Sequence, residues 1–261
     1  MSALVVALED GLLRITLNRP EAANAFDLEE GRAMLHAAIR ADEDPAVRCV
    51  LITGTGRFFS AGGDLASFAT LGAGIGGSLK EMTTYLHSAF SKLARMKAPL
   101  VTAVNGPAAG IGMSLAILGD LVFAARSANF TSAYLAAGLT PDGAQTFVLP
   151  RLVGMRRAQE LFLTNRRLSA EEAVAWGLAT QVVDDAALAD HALAAARRLV
   201  EGPFAAYGAL RSLLAGTWSA GFEEQMELEA RSIAAAASGA EGQEGINAFL
   251  AKRKPVFRAP A

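Results

Sequence analysis

The chain has 261 residues, of which 52% are apolar and 19% charged, with a formal net charge of -2. That length can bury a sizeable core, as one large domain or as one domain with a helical appendage, and the composition excludes a disordered chain. The near-neutral field gives no reason to expect nucleic acid as a partner, and a single cysteine, Cys49, excludes an intrachain disulfide.

Asp10-Gly11 separates two apolar runs, residues 4–8 and 13–17, which predicts a tight hairpin. Residues 27–41 carry apolar side chains at helical spacing, with Asp27 placed to cap the N-terminus. Residues 47–53 form a continuous run rich in β-branched residues, the pattern of a strand buried on both faces; Cys49 within it is expected to be a small core hydrophobe. Residues 79–96 predict a second helix, 100–104 another buried strand, 105–112 a glycine-rich turn leading into an apolar helix to about Leu118, and 121–125 a further strand. Strand–helix–strand alternation without further hairpin signals predicts parallel strands joined by helical crossovers.

From Gly143 onward the pattern is almost all helical. Ser169 and Glu172 form a capping box, Gly177 suits a helix end, and helical patterns follow at 187–200, 204–214, 222–236 and 242–250. This predicts an α/β core over residues 1–195 and a helical cap or oligomerisation region over 196–261. The N-terminus does not read as a secretory signal. The most apolar stretch, 108–118, is too short to cross a bilayer, so a cytoplasmic protein with no membrane partner is expected.

The three histidines, His36, His87 and His191, lie in helical patterns away from any metal-ligand spacing, so no metal is expected. No G-x-S-x-G elbow is present for a serine hydrolase. The glycine-rich segment 72–77 does not follow a strand, and it reads as a mobile loop instead of a dinucleotide loop. Two glycine-bearing turns remain, RFFSAGGDL at 57–65 and VNGPAAGIG at 104–112, each after a strong buried strand. Such turns let a ligand approach main-chain N–H groups closely, and two side by side can bind an oxyanion; each taken alone is an ordinary tight turn. Asp142, between Pro141 and Gly143, reads locally as an N-cap for a helix through Val148.

Six ordered segments resemble the crotonase (enoyl-CoA hydratase/isomerase) superfamily over nearly the whole length: LNRPEAANAF (17–26), GRFFSAGGDL (56–65), KAPLVTAVNGPAAGIGMSLAILGD (97–120), LPRLVG (149–154), LTNRRLSAEEAVAWGLATQVV (163–183) and FLAKRKPVF (249–257). The resemblance implies a repeated ββα spiral core with a C-terminal helical region, and a homotrimer or dimer of trimers. It implies that the N–H groups of Gly63 and Ile111 form an oxyanion hole for an acyl-CoA thioester; Ile111 stands where the family usually has glycine. It also implies that Ala23, Ala25, Gly63, Asp64 and Leu65 lie along coenzyme A, and that Lys252 and Arg253 approach its phosphates. Coenzyme A is then part of the substrate, and no separate cofactor is expected. Phe68, Met82, Leu86, Ser114 and Tyr134 are expected to shape the acyl pocket, together with Leu71 and the glycine-rich segment.

Hydratases of this superfamily use two glutamates, and the corresponding positions here are Ser114 and Tyr134. Neither is a carboxylate, so hydration is disfavoured. The stretch around Asp142 is similar to enoyl-CoA isomerases, including the ring-epoxide isomerases of phenylacetate breakdown, in which an acidic residue stands here. The implied reaction moves a 3-enoyl-CoA double bond to the 2 position, with Asp142 as acid and base. A ring-epoxide isomerase and a non-catalytic acyl-CoA-binding paralogue are the alternatives.

Overall fold

The computed structural model describes residues 3–258; residues 1–2 and 259–261, the outer ends of the two expected divisions, lie outside the described residues. Strands β1 (Leu4–Glu9) and β2 (Leu12–Leu17) pair antiparallel across Asp10-Gly11, both at positive φ (50° and 85°), as a two-residue hairpin demands. Helix α1 (Leu28–Glu43) starts from a full capping box between Asp27 and Glu30 and buries Met34, Ala37, Ala38 and Ala41. Strand β3 (Cys49–Gly54) follows, then a short α2 (Leu65–Ala69) and the long α3 (Ile75–Arg95).

The glycine-rich segment 72–77 departs from its expected mobile loop. Gly72–Gly74 form a 3-10 turn and Ile75 opens α3, so the helix begins four residues before the predicted 79. The apolar face of α3 (Met82, Leu86, Ala89, Phe90 and Leu93) packs on α1, and the helix runs on through the exposed Gly76 and Gly77 despite their poor propensity.

Strand β4 (Leu100–Val104) is buried throughout; then come β5 (Ala108–Ala109), α4 (Ile111–Ala116), β6 (Leu121–Ala125) and β7 (Asn129–Thr131). The later chain holds α5 (Gln145–Val153), α6 (Met155–Thr164), β8 (Leu168–Ser169), α7 (Ala170–Ala175), β9 (Gln181–Val183) and α8 (Leu188–Val200). It ends in α9 (Phe204–Gly216), α10 (Phe222–Ser238) and α11 (Ala240–Leu250). The Ser169–Glu172 capping box opens α7 as predicted, and Gly177 takes a φ of +80° after it. Strands β5, β7, β8 and β9 are not in the sequence prediction, because two or three residues carry no readable alternation.

The strands make a six-stranded sheet in the order β1-β2-β3-β4-β6-β9, parallel except for the hairpin, and a three-stranded sheet in the order β5-β7-β8. One face of the large sheet is covered by α8, which packs on β3, β4 and β6. The expected division at residue 195 falls inside α8, and the chain leaves the sheet after Val200. Cys49 lies in this core, where burial pushes its thiol up to about 12 and keeps it from being a nucleophile.

Candidate active site

Parallel pairing of β3 with β4, in a register that sets Val50 opposite Leu100, delivers the turns after these strands side by side. Phe59 N–H and Ser60 N–H donate to the Pro107 carbonyl at 3.1 and 3.3 Å, and Ala109 N–H donates to the Ser60 carbonyl at 2.9 Å. Glycine is required by the closeness of this contact. A Cβ on Gly62, whose φ is +99°, would lie 2.8 Å from the Ala109 carbonyl oxygen, and one on Gly112 would lie 2.6 Å from the Ser60 side chain. The segment around Phe26 straps the first turn: Phe26 N–H donates to Gly62 O at 2.7 Å, and Asp64 N–H to Phe26 O at 2.9 Å.

Gly62 N–H donates to Ser60 Oγ at 3.2 Å and Gly110 N–H to the Thr131 carbonyl at 3.1 Å, so the groups just before Gly63 and Ile111 are taken up. Among the described residues, neither Gly63 N–H nor Ile111 N–H has an acceptor, and both residues line one cavity of about 100 Å³. Its walls are mostly apolar: Leu65, Phe68, Leu79, Met82, Ala137 and Leu139, with Ala61, Gly110, Ala133, Tyr134 and Asp142 completing them.

Asp142 does not cap α5. The helix starts at Gln145 after Ala144, which sits at a φ of +62°, and the Asp142 side chain faces the cavity. Its Oδ1 accepts from the Tyr134 hydroxyl, and its Oδ2 lies 3.4 Å from Nε2 of His87 on α3. The Asp142 carbonyl accepts from the Ser114 hydroxyl at 3.2 Å and from Gln145 N–H at 3.1 Å. Gly143 N–H donates to His87 Nε2 at 3.1 Å. Burial first, and then the Asp142 charge, push the Tyr134 phenol well above its usual range, so it stays a hydrogen-bond donor.

Behind Asp142 runs a buried polar chain that the sequence reasoning missed. Gln145 is fully buried; its Oε1 accepts from Ser132 at 2.9 Å, and its Nε2 donates to the Gly110 carbonyl at 3.2 Å and to Ser114 Oγ at 3.4 Å. Ser114 and Tyr134, noted from sequence only as positions lacking a carboxylate, therefore both hold Asp142. Three expected pocket residues, Phe68, Met82 and Tyr134, line the cavity. Ser114 and Leu86 do not: Ser114 is buried one layer behind, and Leu86 is fully buried under α3. Leu71 is partly exposed and outside the lining, whereas Leu79 and Leu139, which the prediction omitted, are part of it.

Of the residues expected along coenzyme A, Ala23 has a φ of +53° and its carbonyl accepts from Ala61 N–H at 2.9 Å. The buried Ala25 carbonyl accepts from Arg19 at 3.2 Å, and Leu65 is 57% exposed at the cavity edge. The Asp64 side chain caps α2 through Ser67 N–H at 3.0 Å and accepts from Arg19 Nη2 at 3.1 Å. Arg19 also bonds Asp27 at 3.0 Å and Glu30 at 2.6 Å, so one guanidinium ties α1 to the residue after Gly63. Lys252 and Arg253 follow α11; Arg253 pairs with Glu244 at 2.6 Å, and neither residue lines the cavity of its own chain. Among the described residues, no group of three His, Cys, Asp or Glu side chains is placed to hold a metal ion, and no helix is long and apolar enough to cross a membrane.

The free Gly63 and Ile111 N–H groups and the Asp142 carboxylate thus meet around one apolar cavity carried by parallel β/α units. The chain belongs to the enoyl-CoA hydratase/isomerase family, whose model matches residues 7–260. It is 38% identical over 258 residues to the 1,2-epoxyphenylacetyl-CoA isomerase of Escherichia coli (strain K12), covering 98% of each chain. It is 32% identical over 244 residues to 4-chlorobenzoyl coenzyme A dehalogenase-2 of Arthrobacter sp, covering 93% of this chain and 88% of that one. Its fold superposes on the crystal structure of an enoyl-CoA hydratase from Polaromonas sp. JS666 with a TM-score of 0.93, at 32% identity and with 98% and 100% of the two chains covered. Three relatives carry names for three different reactions, so the reaction must be argued from this chain's own side chains.

Proposed function

We propose that this protein is an acyl-CoA isomerase that shifts a 3-enoyl-CoA double bond to the 2 position, with Asp142 as its single acid and base. The observation that carries the reading is that Asp142 is the sole carboxylate among the residues lining the cavity that holds the free N–H groups of Gly63 and Ile111. Those two groups would accept the thioester oxygen and stabilise negative charge as it develops there. Asp142 removes the proton from the α carbon, and the C–H electron pair spreads into a dienolate. The Asp142 carboxyl then returns the proton to the γ carbon, and the carboxylate is regenerated with no water consumed. Tyr134 stays protonated throughout and steadies Asp142 through Oδ1.

Hydration needs a second group to activate water, and Ser114 and Tyr134 supply no carboxylate for it. Ala23, Ala25, Gly63, Asp64 and Leu65 would lie along coenzyme A through backbone atoms. Lys252 and Arg253 would serve its phosphates from a neighbouring copy in a homotrimer or dimer of trimers, working in the cytoplasm without a separate cofactor.

A second reading, a ring-epoxide isomerase on an aryl-bearing CoA ester, is favoured by the identity to the Escherichia coli isomerase and by a cavity of about 100 Å³, which suits a compact acyl group better than a long chain.

The test is to incubate the protein with 3-enoyl-CoA, 2-enoyl-CoA and a ring-epoxide CoA ester, following isomerisation and water addition separately. Asp142→Asn is expected to lower isomerisation by ~100- to 10,000-fold while CoA-ester binding persists. Full activity of that variant would sink the assignment, robust hydration of 2-enoyl-CoA would replace it with a hydratase, and binding without turnover would leave an acyl-CoA-binding paralogue.

A further inference from the structure

Asp142 is held on several sides, and one of its neighbours has only one lone pair to give. Gly143 N–H can only donate, and it points at His87 Nε2 from 3.1 Å. That nitrogen must therefore be unprotonated, which makes His87 a neutral ring carrying its proton on Nδ1. The same Nε2 lies 3.4 Å from Asp142 Oδ2. Two atoms that both present lone pairs do not bond, so in this arrangement the carboxylate and the imidazole are not an ion pair. Oδ1 is occupied by the Tyr134 hydroxyl, which leaves Oδ2 as the oxygen without a donor.

The turn that carries Asp142 has little room to move. Gly143 sits at a φ of +59°, and a Cβ there would meet Ser114 at 3.0 Å and Ile111 and Phe90 at 3.1 Å. Ser114 Oγ–H holds the Asp142 carbonyl from α4 at 3.2 Å, and His87 holds the next N–H from α3. An imidazolium would reverse this: it would offer Nε2–H to Oδ2, neutralise the base, and leave Gly143 N–H with no acceptor.

We infer that His87 is a positioning residue for Asp142: as a neutral, Nδ1-protonated imidazole it anchors the 141–143 turn through Gly143 N–H and leaves Oδ2 free to exchange the substrate proton. The assignment of Oδ2 rests on the isomerase reading; the tautomer of His87 does not.

The experiment has two arms. In the first, the 15N-labelled full chain is examined at pH 7.5 by long-range 1H–15N correlation, with only three histidines to assign and His87 identified by its loss in His87→Gln. The Nδ1–H tautomer is expected; an Nε2–H tautomer or an imidazolium overturns the inference. In the second arm, His87→Leu removes the acceptor, whereas His87→Gln keeps an oxygen that Gly143 N–H can reach. With folding checked by circular dichroism, His87→Leu is expected to lower kcat by ~10- to 100-fold through misplacement of the base, with KM little changed, and His87→Gln to restore most of the loss. Unchanged kcat in His87→Leu overturns positioning. A glutamine variant as impaired as the leucine one overturns it too, because the ring itself would then be handling protons. If the wild type isomerises none of the CoA esters, the isomerase reading fails, and the tautomer still decides the role of His87.

Discussion

The sheet core and the last three helices are built on different principles. In the core, β4 is buried at every residue and α4 likewise, and the site is fixed by backbone closeness between glycine-bearing turns. In the C-terminal helices, α10 buries nothing, α11 buries only Ala248, and α9 buries only Gly208 and Arg211. Large apolar side chains are left outside: Phe249 is 83% exposed, Phe222 72% and Ile233 71%. What docks this region on the core is a pair of arginines. Arg211 donates to the carbonyls of Met96, Ala98 and Leu93 and pairs with Asp120 at 2.8 Å. Arg48, reaching out from beside β3, donates to the Val200 and Gly202 carbonyls at the junction before α9, at 2.7 and 2.8 Å, and pairs with Glu241 of α11 at 3.8 Å. The core is held by apolar burial and the appendage by satisfied polar groups, so the two should fail differently.

Arg211→Ala tests that contrast most severely. It leaves three buried carbonyls without their donor, each orphaned group costing ~1–3 kcal/mol, while Asp120 keeps its bond from Leu100 N–H at 2.7 Å. A loss of ~3 kcal/mol or more in unfolding free energy is expected by urea titration. Turnover per folded molecule should be retained, because Arg211 does not line the cavity. A change below ~0.5 kcal/mol would mean that apolar contacts, not Arg211, dock the helices.

Tyr134→Phe probes the other side of the comparison. The phenol is buried and bonded to a carboxylate, and hydrogen bonds to charged groups are worth ~1.5–3 kcal/mol. Its removal should reduce kcat by ~10-fold or more and unfolding free energy by less than Arg211→Ala does. Equal kcat in the variant would show that Ser114, Gln145 and His87 suffice to aim Asp142.

How much of this was legible in the chain follows the same division between local and distant chemistry. The Asp10-Gly11 hairpin, the Asp27 and Ser169 caps and the buried runs of β3 and β4 were readable because neighbours within four residues determine them. Gly63, Ile111 and Asp142 were found by resemblance to family motifs; as local sequence they were two tight turns and an N-cap. His87 was set aside because nothing near it in the chain offers a partner, yet the fold brings it to Asp142, 55 residues away. Gln145 gave no signal at all, since a lone glutamine at a helix start is unremarkable until three elements bury it. Leu86 shares a helix face with Met82 and both pack beside Gly31 of α1, but only Met82, one turn earlier, also reaches the cavity.

The smallest expected effect concerns the α1 carboxyl that Arg19 holds beside the site. Glu30 is 3% exposed, and burial raises its carboxyl from the ordinary 4.5 to about 7, against the pull of Arg19 at 2.6 Å. Because the folded value lies above the unfolded one, the folded chain binds the proton more tightly. The stabilisation this gives is complete below about 4.5 and is lost as pH rises through about 7. Glu30→Gln removes the charge but keeps the geometry, since a single oxygen, Oε2, accepts from both Arg19 and Asp27 N–H. Arg19 would still be met by Asp27 and Asp64, so the link to Gly63 is preserved. The variant should match the wild type near pH 4.5 and exceed it by ~1–2 kcal/mol at pH 8, after discounting for partial solvation. Urea unfolding of both proteins across that range measures the difference directly. Parallel pH profiles would mean that Arg19 holds Glu30 ionised in both states, and that this corner of the core is an ordinary ion pair with no proton of its own to lose.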